Sequence, residues 1–197
     1  MPNIIPLQKI TNEAVGGKAE GLAKLIHLGL NVPAGFVIQH AKTGQMPADL
    51  FDHYNAIGGG KVAVRSSAIG EDSIDASFAG QYETILDVEG ETALVVAIEQ
   101  CLHSIQNVAA MAYQSKKSAD ANTELPVVEK TEMQMCVVVQ KMVPAASAGV
   151  LFTVDPVSNS RQRIVIDAVS GLGEKLVSGE ATPCLLYTSP SPRDRTR

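Results

Sequence analysis

No window of this chain approaches the roughly 18 uninterrupted apolar residues of a membrane-crossing helix, so no membrane span is expected. The start, MPNIIPLQKITNE, lacks a charged segment followed by a long apolar core, which argues against export. Cysteine is scarce. Cys101, Cys136 and Cys184 are odd in number, far apart and without a CxxC pair, so neither a disulfide framework nor a zinc site is indicated, and a reducing cytoplasm fits. Positive charge is also thin: 16 Lys and Arg against 21 Asp and Glu give a net charge of −5, with no basic cluster. A phosphate backbone calls for a basic face, so nucleic acid is not an expected partner. What the chain does have is apolar content. At 45% hydrophobic over 197 residues it can bury one good core or two small lobes.

Its first organised stretch is Val15-Gly16-Gly17-Lys18 running into AEGLAKLIHLGL. Leu22, Leu25, Ile26 and Leu30 recur at helical spacing, with Lys24 and His27 on the other side and Gly29 where a helix would end. A two-glycine turn opening a helix lets backbone N–H groups approach a ligand beside the Lys18 ammonium. The spacing is not that of a Walker A loop, and an ordinary helix start with an exposed lysine is the more common explanation of these residues taken alone. Phe36 to Ile38 then predicts a short buried strand, and Pro47 to Ile57 a helix ended by Gly58-Gly59-Gly60, a structural joint.

The stretch Lys61 to Asp87 carries the densest chemistry. Val62-Ala63-Val64 has the length and branching of a buried strand, and Glu83 to Asp87 alternates like another. Between them a loop is expected, holding Arg65, Ser66, Ser67, the acidic pair Glu71 and Asp72, and Phe78-Ala79-Gly80-Gln81. Arginine offers a planar fork of donors that stays charged, suited to a polyphosphate. The same residues also allow Arg65 simply to pair with Glu71 or Asp72 in a solvated connection.

A long amphipathic helix is expected over Glu91 to Ala112, its apolar stripe placing Cys101 in the core and His103 in solvent. From Gln114 to Glu132 the chain turns polar and reads as a loop. Met133 to Val139 and Gly149 to Val154 predict two strands, expected to pair antiparallel, and Arg163 to Val169 a third. Gln140 at a strand end can both donate and accept, as recognition of an adenine edge requires, or it can face water. Asp155, Asp167 and Glu174 are scattered carboxylates, either surface charges or candidate metal ligands.

The segments VGGKAEGLAKL, NVPAGFVI, VAVRSSAIGED, ASFAGQYETIL, VVVQKMVPAASAGVLFTVDP and GLGEKLVSGEATP, in this order, resemble the nucleotide-binding domain of the phosphoenolpyruvate synthase and pyruvate phosphate dikinase family. The combination of VRSSAxxED with SFAGQ is the most specific part. The resemblance implies an α+β fold of ATP-grasp type, truncated at its C-terminal end and covering residues 1–183. It implies ATP and Mg2+ as cofactors and a phosphotransferase that moves a phosphoryl group from ATP to an enzyme histidine and on to pyruvate. Lys18 and Arg65 match the family's phosphate-binding cations, Gly80 and Thr84 match positions that touch the nucleotide, and Gln140 matches a residue of the adenine region. The loop from Ser66 to Gly80 is expected to cover the phosphates.

The family's acidic magnesium ligand, its glutamine-x-arginine phosphate contacts, its phosphorylated histidine and the barrel binding pyruvate or phosphoenolpyruvate have no counterpart here. No metal ligand is therefore assigned, and the chain alone is expected to be inactive. Residues 184–197, rich in Ser, Thr, Pro and Arg, are expected to be unstructured and foreign to the domain. Two other readings stay open: a rifampin-phosphotransferase-like enzyme with a different acceptor, and a non-catalytic module that binds nucleotide or a protein partner.

Overall fold

The computed structural model describes residues 2–11, 13–68, 84–104, 135–180 and 184–188. They fall into two units, Met1–Met142 and Val143–Arg197. Both are α+β, built on antiparallel sheets.

In the first unit, β1 (Asn3–Pro6), β2 (Gly35–Gln39), β3 (Val62–Ala68), β4 (Thr84–Val88) and β5 (Met135–Lys141) form a sheet in the order β1-β2-β5-β3-β4. Helices α1 (Gly17–His27), α2 (Leu50–Ala56) and α3 (residues 91–104) pack on it. Alternate residues of one strand serve two cores. Phe36, Ile38, Val62, Val64, Val137 and Val139 meet Leu50, Leu94, Ile98, Cys101 and Leu102 of α2 and α3. Val37, Cys136 and Val138 meet Val15, Ala19 and Ala23 at α1. A strand covered on both faces has no polar side to show, which is why MCVVVQK reads as a continuous apolar run.

Several expectations are corrected here. Arg65, Ser66 and Ser67 are not in a loop after the strand: β3 continues to Ala68, paired along its whole length with β5. Hydroxyl side chains hide this from a hydrophobicity pattern, yet Ser66 and Ser67 are fully buried. In α1, Ala19 and Ala23 are the buried residues, with Leu22 and Ile26 partly buried, whereas Leu25 and Leu30 of the expected stripe are exposed. Small side chains let the helix lie close to the sheet. Helix α3 carries Cys101 in the core and His103 in solvent, as its periodicity predicts. The remainder of that pattern, to Ala112, and the loop from Gln114 to Glu132 lie outside the described residues.

The Gly58-Gly59-Gly60 joint holds three successive left-handed residues, φ 91°, 53° and 69°, a run that only glycine adopts without strain. Tyr54 secures it: its hydroxyl donates to the Gly60 carbonyl at 2.6 Å and accepts from the Gly90 N–H at 3.0 Å. In β4, Leu86 and Asp87 together oppose Ala63, a bulge with Asp87 at φ 55°, and Asp87 forms an ion pair with Lys61 at 2.7 Å.

The second unit is the sheet β6 (Ser147–Phe152), β7 (Ile164–Ser170) and β8 (Cys184–Thr188), with the short helix α4 (Glu174–Val177). The expected pairing of the 133–139 and 149–154 strands does not occur. β5 is flanked by β2 and β3, and β6 pairs with β7. Both sides of β5 are already taken, so the strand after Pro144 enters another sheet. Nor is the stretch from Cys184 unstructured throughout: CLLYT is β-prone and pairs with β7 in register from Cys184 opposite Ala168 to Thr188 opposite Ile164. Residues 189–197 lie outside the described residues.

Asp155 is spent on the β6–β7 connection. Its carboxylate accepts from the Val157 N–H at 2.9 Å, the Ser158 N–H at 3.3 Å and the Ser158 hydroxyl at 2.6 Å. These hydrogen bonds, led by that from the Ser158 hydroxyl, lower its pKa. A lowered folded value means that ionised Asp155 stabilises the loop above the ordinary aspartate range and that this contribution disappears as the pH falls through the folded value. Melting curves should accordingly show Asp155→Asn less stable than the parent above about pH 5, with the gap closing in acid. A gap independent of pH would mean that the carboxylate charge plays no part.

No helix among the described residues is long and apolar enough to cross a membrane.

Candidate functional site

The first unit contains a cavity of about 270 Å³ lined by Gly17, Lys18, Gly21, Leu22, Leu25, Arg65 and Val138. Three elements build it. The α1 face supplies the glycines and Lys18, while β3 and β5 present Arg65 and Val138, which are direct cross-strand partners. Strand alternation puts Val62 and Val64 into the α2/α3 core and so turns Arg65 toward α1, where the cavity lies. Its lining combines two cations, Lys18 and Arg65, with the apolar Leu22, Leu25 and Val138. Its volume lies just under the usual range of about 300–1000 Å³ for small-molecule sites.

Both predicted cations are thus brought together. Lys18 donates from its ammonium to the Ser66 carbonyl at 3.2 Å. Arg65 is half-buried, and its Nε, shielded from solvent, has no hydrogen-bond partner among the described residues. A buried N–H donor left unpaired typically costs about 1–3 kcal/mol. An anion at this cavity would recover that cost, whereas an apolar ligand would leave it.

The other predicted site residues are distributed unequally. Thr84 is exposed and stands directly opposite Arg65 on β4, so the two share one sheet face as nearest cross-strand neighbours. Gln140 lies on β5 two residues beyond Val138, on the same strand face, but does not line the cavity. It is buried and its amide donates to the Pro33 carbonyl at 3.2 Å, so it neither faces water nor is held only for a ligand. Gly80, the acidic pair Glu71 and Asp72, and the expected phosphate cover beyond Ala68 lie outside the described residues.

Gly21 was not anticipated. It sits inside α1, where glycine is unfavourable by about 0.5–1 kcal/mol relative to alanine, and a Cβ there would meet no atom within 4 Å. The signal available in the sequence was a glycine in the middle of a helical period. Cys136, on the same sheet face, is buried, and desolvation pushes its thiol up to about 11, so it stays protonated and unreactive at neutral pH. Asp155, Asp167 and Glu174 do not form a metal centre: among the described residues no three His, Cys, Asp or Glu side chains gather closely enough.

A paired sheet strand and a glycine turn thus place two cations, Arg65 and Lys18, at one cavity of an α+β unit. The chain belongs to the family of pyruvate phosphate dikinase AMP/ATP-binding domains, whose model matches residues 43–194. That span includes Arg65, Gly80, Thr84 and Gln140, begins after Lys18, and runs through β8. Phosphoenolpyruvate synthase of Aeropyrum pernix is 33% identical over 90% of this chain and 27% of its own length. Phosphoenolpyruvate synthase of Pyrococcus furiosus is 43% identical over 62% of this chain and 14% of its own. Rifampicin phosphotransferase of Streptomyces sviceus is 44% identical over 61% and 13%. The chain therefore spans about a quarter or less of the length of these relatives.

Proposed function

We propose that this chain is the ATP-holding part, of ATP-grasp type, of a phosphotransferase that passes a phosphoryl group from ATP to an enzyme histidine and on to pyruvate. The observation that carries this reading is the convergence of Lys18 and an incompletely paired Arg65 on one cavity. Phosphoryl transfer leaves the protein little covalent work; it requires the phosphates to be fixed and their charge neutralised. Lys18 from α1 and Arg65 from β3 do this together, and the Thr84 hydroxyl beside Arg65 adds an uncharged contact. Gln140, with its N–H group held by Pro33, offers its amide oxygen to an exocyclic amine such as that of adenine. None of His27, His40, His53 and His103 lines the cavity, so the acceptor histidine is assigned to another part of the full-length protein.

Magnesium ordinarily accompanies a nucleoside triphosphate, held by one or two carboxylates and the phosphates themselves; no carboxylate among the described residues lines this cavity, so its protein ligands are placed elsewhere in the full-length protein. The domain is taken to extend from residue 1 through β8, which pairs with β7, so a foreign origin is proposed only for residues after it.

Incubating the full-length protein with ATP labelled in the β- or γ-phosphate, in separate reactions, should yield acid-labile phosphohistidine that pyruvate discharges. Nucleotide binding without phosphohistidine would overturn the enzyme reading in favour of a binding module. Discharge by a rifamycin and not by pyruvate would move the enzyme to the antibiotic-modifying branch suggested by the Streptomyces relative. Gly21→Ala provides a second check with effects of opposite sign. The new methyl enters open space, so the unliganded protein should gain about 0.5–1 kcal/mol in denaturant titrations. Because the methyl projects at the cavity, ATP affinity should fall. A variant that is more stable and binds ATP unchanged would show that the ligand does not lie along α1.

A further inference from the structure

We propose that Ser67 is a positioning residue for Lys18, acting as the helix cap that the glycine turn cannot supply. This rests on the assignment of Lys18 to nucleotide phosphates. The N-cap of α1 is Gly16, at φ 81°, with no side chain to accept from the first-turn amides. Helices usually meet this need with a Ser, Thr, Asp or Asn at the N-cap accepting from the second or third residue of the helix. Here the oxygen comes from another strand. The Ser67 hydroxyl accepts from the N–H of Ala19, the third helical residue, at 3.4 Å and donates to the Val15 carbonyl at 3.0 Å. It therefore touches the chain on both sides of the Gly16-Gly17-Lys18 turn. The neighbouring residue of the same strand, Ser66, accepts from the Lys18 ammonium through its carbonyl.

Consecutive residues of β3 thus hold the backbone that carries Lys18 and the tip of its side chain, while Arg65 immediately before them lines the same cavity. Ser67 is fully buried, so its hydroxyl cannot exchange these partners for water. Its neighbours repeat the pattern. Gln39 Nε2 donates to the Ala14 carbonyl at 3.1 Å, and Cys136 Sγ lies 3.8 Å from the same oxygen. Three adjacent strands therefore hold the approach to the turn, and Ser67 is the one that reaches into the helix.

The test compares the 197-residue chain with Ser67→Ala, Lys18→Ala, the double variant and Ser67→Thr, using ATP as the titrant. Val64→Ala, on the opposite sheet face, controls for general destabilisation. Loss of a cap worth about 1 kcal/mol corresponds to roughly fivefold. Ser67→Ala should therefore speed hydrogen exchange of the Ala19 amide about fivefold beyond the control, shift the Lys18 ammonium NMR signal and weaken ATP binding by a similar factor. Ser67→Thr, which keeps the hydroxyl, should restore all three. In the Lys18→Ala background the Ser67→Ala loss of affinity should largely vanish. Additive losses, or an unmoved Lys18 signal, would overturn the proposal. If the parent chain binds no ATP, the phosphate reading of the cavity fails, while the exchange and ammonium signals still decide whether Ser67 places Lys18.

Discussion

Replacing Arg65 with alanine is expected to leave the first unit folded and to lower kcat/KM of the full-length enzyme about 30- to 1000-fold, the usual consequence of losing a phosphate or oxyanion clamp worth about 2–4 kcal/mol. The two halves of this expectation have separate sources. Stability should change little because Arg65 Nε has no hydrogen-bond partner among the described residues and the truncation relieves a buried, unmatched donor. Activity should change greatly because the guanidinium lines the same cavity as Lys18. Arg65→Lys should not restore turnover, since an ammonium carries the charge but not the planar fork. Steady-state rates and a denaturant titration of each variant decide the matter. Unchanged turnover would make Arg65 structural, and a loss of stability as large as the loss of activity would make the kinetic effect uninterpretable as clamping.

The largest effect on stability is expected from Phe36→Ala, at about 3–5 kcal/mol. Phe36 is 1% exposed and sits on β2, between β1 and β5, in the same core as Ile4, Ile38 and Leu50. Its ring also meets that of His53 with centroids 5.7 Å apart. β2 is held by neighbours on both edges, so the backbone has little freedom to collapse into the vacated space. A domain stable by about 5–15 kcal/mol would lose a large fraction of its margin. A midpoint shift equivalent to less than about 1 kcal/mol would mean that the core around β2 relaxes far more than its pairing implies.

How far these features can be read from sequence depends on what each residue faces. Strands β2, β5 and β7 are legible as short runs rich in apolar, β-branched residues, and the helices by apolar residues at helical spacing, although the buried face of α1 is not the one its leucines mark. The continuation of β3 through Arg65, Ser66 and Ser67 is not, because local hydrophobicity says nothing of a partner strand some 70 residues away that pairs them all. The same distance blindness explains the mistaken hairpin of β5 with β6: nearness in sequence favours it, and only the occupancy of both edges of β5 forbids it. Lys18 and Arg65 are identifiable by the residues around them, yet their sharing of one cavity is a tertiary fact. Gln140 shows the converse, a residue whose chemistry suits a base edge and whose amide is already engaged by Pro33. β8 is obscured by composition, since the polar residues after Thr188 dominate the average over the final stretch.

The row of donors on the Ala14 and Val15 carbonyls has a kinetic consequence. Its members are separated from the turn by 25, 52 and 122 residues of chain, contributed by Gln39, Ser67 and Cys136. Contacts closing such long loops form late, because chain entropy must be lost before they can be made. Lys18 is accordingly expected to settle late in folding, once β5 lies between β2 and β3, a sequence that hydrogen exchange during refolding would check. On that expectation, partly assembled forms of this unit would hold helix α1 without an ordered turn.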